Sequence, residues 1–166
     1  MMLATTNAAV SRALLPALFV LGGAHAHTLD QMQFSVQTLS PVLSHSQAME
    51  TRLRLTNRSK TPMYVFKDLS YFVTAWAYGS SGESMDKGVF EEVRPPPLQR
   101  SDFLLLKPGQ YIEYIRRESL DGLGIRKAGQ YRVDFHYDAD IPRRFTFGFP
   151  AWLGTQRASA VIRVVN

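Results

Sequence analysis

The stretch that decides the fold of this chain is Ala128-Gly129-Gln130-Tyr131-Arg132-Val133-Asp134-Phe135-His136-Tyr137. After a glycine turn, apolar side chains alternate with polar ones from Tyr131 to Tyr137. Because successive side chains of a β-strand point to opposite faces of the sheet, this alternation predicts a half-buried antiparallel strand with one apolar face and one solvent-exposed face.

Similar short segments recur along the chain, separated by turns rich in glycine, proline and asparagine. They are rich in aromatic and β-branched residues, and no stretch carries the apolar stripe of a helix. The predicted strands are Phe34–Val36, Met49–Leu55, Met63–Phe66, Tyr71–Tyr78, Phe103–Leu106, Tyr111–Ile115, residues 128–137 and Ala160–Val165. The pattern predicts an all-β chain, a single antiparallel immunoglobulin-like β-sandwich of about seven to nine strands, with Trp76 in its core.

Residues 1–26 have the features of a secretory signal peptide. Arg12 precedes the apolar run 13–21, two glycines end it, and Ala24-His25-Ala26 offers small residues for cleavage. The apolar run is shorter than the roughly 20 residues that span a bilayer. We therefore expect a signal peptide at 1–26, a domain at 27–166, and a periplasmic or secreted protein without membrane attachment after cleavage.

The composition of the chain limits the classes of partner that it is expected to bind. The chain has no cysteine, so burial of the core holds the fold without disulfides, although an oxidising compartment would permit them. The net charge of +5 is spread along the sequence without a long basic run, and the densest pairs are Arg116-Arg117 and Arg143-Arg144. This distribution argues against nucleic acid as a partner. We expect a monomer that binds no cofactor and has another protein as its partner.

Four motifs carry a resemblance to a known class of domain. They are Leu55-Thr56-Asn57-Arg58-Ser59, Leu106-Lys107-Pro108-Gly109, Gly129-Gln130-Tyr131-Arg132-Val133 and Trp152-Leu153-Gly154. Together they resemble secreted bacterial immunoglobulin-like domains, in particular the single-domain proteinase-inhibitor type of sandwich, over residues 34 to 165. The resemblance implies a tyrosine corner, in which the Tyr131 phenol caps a backbone turn. Leu53 or Leu55, and Val133, stand where the core cysteines of antibody domains would lie.

A copper site is the sharpest chemical hypothesis. Cleavage after Ala26 would leave His27 at the N-terminus, where its amine and imidazole can chelate one Cu(II). Copper prefers nitrogen ligands in a square-planar arrangement, so one further imidazole would complete the site. The candidates for that imidazole are His136 and His45. Against this hypothesis, the histidines show no ligand-spaced cluster, and solvated histidines are common on strands and loops.

The long connection between residues 138 and 158 is the second candidate site. Long loops in compact domains are often functional or contain another strand. In the functional interpretation Arg143, Arg144 and Trp152 anchor a protein partner. In the alternative, the alternation of Phe145, Phe147 and Phe149 marks an extra strand with its rings in the core, and Trp152 plugs the end of the sandwich.

Signatures of enzymes are missing from the sequence. It contains no Gly-x-Ser-x-Gly elbow, no His-Glu-x-x-His motif, no phosphate-binding loop and no cysteine nucleophile. We therefore predict an exported, non-catalytic binding module of inhibitor-like type. Either an exposed edge strand adds to a partner's sheet, or the penultimate loop inserts into a cleft.

Overall fold

The computed structural model describes residues 31–85, 98–140 and 150–166. These residues form nine β-strands and two 3₁₀ helices, the latter at Leu69–Phe72 and Arg100–Asp102. The strands are β1 (Met32–Thr38), β2 (Val42–Ser44), β3 (Ala48–Asn57), β4 (Met63–Phe66), β5 (Val73–Tyr78), β6 (Phe103–Leu106), β7 (Tyr111–Ser119), β8 (Gly129–Asp138) and β9 (Thr155–Val165). Within these ranges no helix has the length and apolar character needed to cross a membrane.

The strands form two packed sheets and a ribbon. The first sheet has the order β1-β3-β7, and the second has the order β2-β9-β8-β5. Neighbours run antiparallel except β2, which lies parallel to β9. β4 and β6 form a separate two-stranded ribbon. This architecture confirms the predicted immunoglobulin-like β-sandwich.

The core lies between the two sheets, and β8 supplies its centre. Tyr131, Val133, Phe135 and Tyr137 are buried, whereas the residues between them are exposed or half-buried, as the alternation predicted. β3 faces them with a second buried row, Met49, Leu53 and Leu55. The aliphatic residues at the positions of the antibody cysteines are therefore packed core residues.

The tyrosine corner implied by the resemblance is present. The Tyr131 hydroxyl donates a hydrogen bond to the carbonyl of Lys127 at 2.9 Å. The phenol thus closes the turn that leads into β8. The ring of this side chain is buried, and its hydroxyl has a hydrogen-bond partner. This contact confirms the predicted cap.

Asn57, the last residue of β3, joins two of the four sequence motifs, those at residues 55–59 and 106–109. Its backbone N–H donates to the carbonyl of Gln110 at 2.9 Å, and its carbonyl accepts from Gly109 at 2.8 Å. Gly109 has φ +79°, the position that a type II turn reserves for glycine after proline. The end of β3 and the turn before β7 therefore form one unit, which sets the start of β7.

Three details differ from the sequence predictions. The segment predicted as a strand from Tyr71 begins as the 3₁₀ helix Leu69–Phe72, because the Asp68 carboxylate accepts a hydrogen bond from the Ser70 N–H and caps it. The last strand starts at Thr155, which shortens the preceding connection. Trp76 pairs in register with Asp134 on the solvent face of the second sheet, so it is half-buried there rather than central. The predicted strand at 145–149 lies outside the described residues.

Candidate functional site

The feature that most favours binding is the outer edge of β7. Within the described residues, β7 has β3 as its sole sheet neighbour. Its apolar side chains are nevertheless open to solvent: Tyr111 is 52% exposed, Tyr114 42% and Ile115 40%. A long edge strand with exposed apolar side chains is a template for pairing with another strand. We call the free side of β7 the β7 edge.

Hydrogen bonding fixes which backbone groups face the β7 edge. In the ladder between β3 and β7, Asn57 donates to Gln110, its partner in register, so this pair is hydrogen-bonded. Bonded and non-bonded pairs alternate along an antiparallel ladder. The even-numbered residues of β7 therefore bond to β3. The odd-numbered residues of β7 point their N–H and C=O groups away from β3, towards the β7 edge. They are Tyr111, Glu113, Ile115, Arg117 and Ser119.

The outer face of the first sheet carries a regular charge pattern beside this edge. Glu113 accepts hydrogen bonds from Arg54 Nε at 3.1 Å and Nη2 at 2.7 Å, which raise the pKa of that guanidinium. Arg52 Nε lies 3.2 Å from Glu113, at ion-pair distance though outside hydrogen-bond alignment. Arg117 pairs with Glu50 at 2.8 Å. Such exposed pairs add little stability, but they set where each charge stands.

The inner face of β7 is anchored by a charged pair. Arg116 and Glu118 lie opposite the buried Thr51 and Met49, and they form an ion pair. Arg116 also donates to the carbonyl of Val73 in the second sheet. Inward-pointing charges are a device that discourages non-specific pairing of edge strands. The inward side chains tie this half of β7 to the second sheet, while the backbone groups of Arg117 and Ser119 still face the β7 edge.

Sequence reasoning predicted a strand at Tyr111–Ile115 but did not identify it as a site. The signal was its lack of alternation: Tyr111 and Ile112 are adjacent, as are Tyr114 and Ile115, so apolar residues occupy both faces. A strand covered on one face alternates instead. Apolar residues on both faces of a strand, with charged residues among them, are thus the sequence pattern that indicates this edge.

Of the three residues predicted to bind a protein partner, Arg143 and Arg144 lie outside the described residues. Trp152 is half-buried, and its ring stacks on Tyr137 with centroids 5.7 Å apart and planes 17° from parallel. Its backbone N–H donates to the carbonyl of Tyr64 at 2.7 Å. A Cβ at Gly154 would lie 2.7 Å from Cζ2 of this ring. These contacts fit the alternative in which Trp152 closes one end of the sandwich.

The hydroxyl of Tyr137, the residue that stacks on Trp152, is buried. Tyr137 is 1% exposed, and its hydroxyl has no hydrogen-bond partner among the described residues. Burial raises the pKa of the phenol far above its ordinary value, so it stays neutral. An unpartnered buried hydroxyl costs about 1–3 kcal/mol of desolvation.

We expect Tyr137→Phe to leave the free energy of unfolding unchanged or to raise it by up to about 1 kcal/mol, because it removes this unpartnered group. Tyr131→Phe is the matched control: the same atom is removed, a real hydrogen bond is lost, and stability falls by about 1 kcal/mol. Urea denaturation measures both. Equal losses in the two variants would show that the Tyr137 hydroxyl has a partner.

The histidines of the copper hypothesis do not converge. His45 is exposed in the turn between β2 and β3, and His136 is half-buried on the solvent face of β8. Strand registers place Ser44 beside Val165, and Val164 beside Gly129. At about 3.3 Å per residue, His45 and His136 are therefore separated by roughly 26 Å along the sheet. No more than one of them can join His27, which lies outside the described residues, so that site stays a prediction.

His136 has a distinct environment. Its ring lies 4.5 Å from that of Trp76, in an edge-on arrangement. Partial burial and the nearby charge of Arg157 lower the pKa of its imidazole below the ordinary 6.5. Among the described residues, no group of three or more His, Cys, Asp or Glu side chains is placed to hold a metal ion.

This lowered pKa predicts a pH dependence of stability. Between the folded pKa and the ordinary value of 6.5, the unfolded chain binds more protons than the folded chain. The free energy of unfolding therefore falls as the pH drops below about 7 and through the folded pKa. We expect His136→Gln to remove this component from denaturation curves measured at several pH values. An NMR titration in which His136 protonates above its ordinary value would contradict the prediction.

Comparison with known proteins gives likenesses among solved structures alone. No protein-family model and no curated protein matches the chain. Among solved structures, it is similar to the CARDB domain of the PF1109 protein from Pyrococcus furiosus, solved in complex with di-metal ions. The identity is 11%, the TM-score is 0.40, and the match covers 81% of this chain and 87% of that one. The chain is an immunoglobulin-like β-sandwich, a class defined here by its own sheets and registers.

Proposed function

We propose that this protein is an exported, non-catalytic binding module that recognises another polypeptide by adding a strand to the β7 edge. The observation that carries the proposal is a row of backbone groups on β7 that have no strand partner in the part of the chain that the structure describes, beside exposed Tyr111, Tyr114 and Ile115. In strand addition, main-chain hydrogen bonds supply affinity and alternate side chains supply specificity. Export rests on residues 1–26 of the sequence.

A narrower form of the proposal makes the partner a protease. It rests on the resemblance to the proteinase-inhibitor type of sandwich and on the predicted insertion of the loop that carries Arg143 and Arg144. Its test is inhibition of a panel of serine, cysteine and metallo-proteases by the purified protein. Absence of inhibition across the panel would remove this form and leave strand addition in place.

Ile115→Pro tests strand addition with little disturbance to the fold. The N–H of Ile115 points to the β7 edge, so proline removes no hydrogen bond to β3 and places its ring in the path of an incoming strand. The control is Val161→Lys, which removes a 52% exposed apolar side chain from β9, a strand inside the second sheet. Thermal denaturation checks that both variants fold.

The experiment captures proteins from the host's exported fraction on wild type and on both variants. We expect a partner to bind wild type and Val161→Lys and to be lost with Ile115→Pro. Hydrogen exchange on the purified complex should then slow alternate amides of β7, those of Tyr111, Glu113, Ile115, Arg117 and Ser119. A partner that binds Ile115→Pro as tightly as wild type would overturn strand addition at this edge.

A further inference from the structure

We infer that the strand that occupies the β7 edge is β7 of a second copy of this chain, antiparallel and centred on Ile115. The inference rests on the proposed function, since it names the polypeptide that the edge receives. It replaces the monomer expected from the sequence with a symmetric dimer. In this dimer the first sheets of two copies join into one continuous sheet.

Backbone geometry restricts the registers that such a dimer can use. The groups that point to the β7 edge belong to the odd-numbered residues of β7. Two copies can exchange hydrogen bonds only where odd-numbered residues stand opposite odd-numbered residues. Centring on Ile115 meets this condition. Ile115 then faces itself, Glu113 faces Arg117 of the second copy, and Tyr111 faces Ser119 of the second copy.

Charge selects this register among the allowed ones. Centring on Ile115 opposes Glu113 and Arg117 twice, once on each side of the two-fold axis. Sliding one copy of β7 by two residues, to the next allowed register, puts Glu113 opposite Ile115 or Ser119 and loses both Glu113–Arg117 pairs. A further step opposes Glu113 with Glu113, or Arg117 with Arg117, and like charges directly opposite are unfavourable. The β7 sequence is therefore complementary to itself in one register.

The exposure of the side chains agrees with this arrangement. The Arg117 side chain pairs with Glu50 and is still 74% exposed, so much of its guanidinium remains accessible to a carboxylate across the edge. Ile115, 40% exposed, meets its own copy at the axis, where the apolar contact excludes water. Tyr114 is on the inner face and still 42% exposed, and the dimer places it beside Arg116 of the second copy. One pairing thus brings both Ile115 and Tyr114 against side chains of the second copy.

Sedimentation velocity on the purified chain tests the dimer. We expect wild type and Val161→Lys to pass from monomer to dimer as concentration rises. Ile115→Pro should remain monomeric, with the melting temperature that wild type has at concentrations where it is monomeric. Wild type that stays monomeric at every concentration would overturn the inference.

Two charge reversals test the register. Glu113→Lys places like charges opposite at both pairs of its own dimer, and Arg117→Glu does the same with the opposite sign. We expect each variant alone to dimerise at least about tenfold more weakly than wild type. In an equimolar mixture every opposed pair is again of opposite sign, so the mixture should form heterodimers as tight as the wild-type dimer. A mixture no tighter than the separate variants would overturn this register.

Failure of this inference is distinguishable from failure of the proposed function. Purified wild type that is monomeric, together with a different protein that protects the alternate amides of β7, would overturn the self-pairing and leave strand addition standing. Monomeric wild type in which no partner protects those amides would overturn both. A dimer with unprotected amides in β7 would overturn the self-pairing alone, because the dimer contact would then lie elsewhere and the β7 edge would still be open to a different protein.

Discussion

We expect Asn57→Ala to lower the free energy of unfolding by about 3–5 kcal/mol, a large share of the stability of a small domain. The side chain is fully buried and all its polar atoms are used. Nδ2 donates to the carbonyls of Thr61 and Leu106, both at 2.9 Å. Oδ1 accepts from the Ser59 N–H at 2.9 Å and the Ser59 hydroxyl at 2.7 Å. Alanine removes all four hydrogen bonds at once and leaves the buried Leu106 carbonyl without this donor.

Chemical denaturation of the purified protein measures the effect, with Ser59→Ala as its control. That variant removes one hydroxyl from the same turn and leaves Asn57 bonded to Thr61 and Leu106, so we expect a loss of only about 1 kcal/mol. If Asn57→Ala costs no more than Ser59→Ala, the buried network does not contribute as described.

The sequence identified the two turns that Asn57 connects but not the connection. Asn57-Arg58-Ser59 and Lys107-Pro108-Gly109 each carry local turn chemistry, which residue types reveal. The bond from Asn57 to Leu106 joins residues 49 positions apart and ends on a backbone carbonyl. Every residue has such a carbonyl, so the sequence holds no sign of which one is used. Local structure was therefore predictable and its tertiary linkage was not.

The same distinction separates β8 from β7. β8 lies inside its sheet with one face on the core, so its pattern alternates and was predicted with its inward residues. β7 lies at an edge, where Tyr114 points inward and remains exposed, so the alternation fails. Which strand becomes an edge depends on strand order, a non-local property. Strand addition was thus named from the sequence as one possible mode of recognition, without the strand that we propose for it.

The second substitution with a large expected effect is Phe135→Ala, which should lower the free energy of unfolding by about 4–5 kcal/mol. Phe135 is fully buried at the middle of β8. Its register neighbours are Ala75 on β5 and Ala158 on β9, so its ring fills the space that two small side chains leave open. The adjacent inward position repeats the arrangement, with Val133 between Ala77 and Ala160.

These flanking alanines place the expected loss at the upper end of the range for large-to-small core substitutions. The cost of such a substitution depends on how far the neighbours can collapse into the cavity. Alanine has no rotamer that reaches further, so the cavity at position 135 stays open. Phe135→Leu keeps most of the volume and should cost less than about 1.5 kcal/mol in the same denaturation assay. If Phe135→Ala costs as little as Phe135→Leu, the sheets have closed over the gap. The alanines would then not be the reason that β8 needs a large ring at this position.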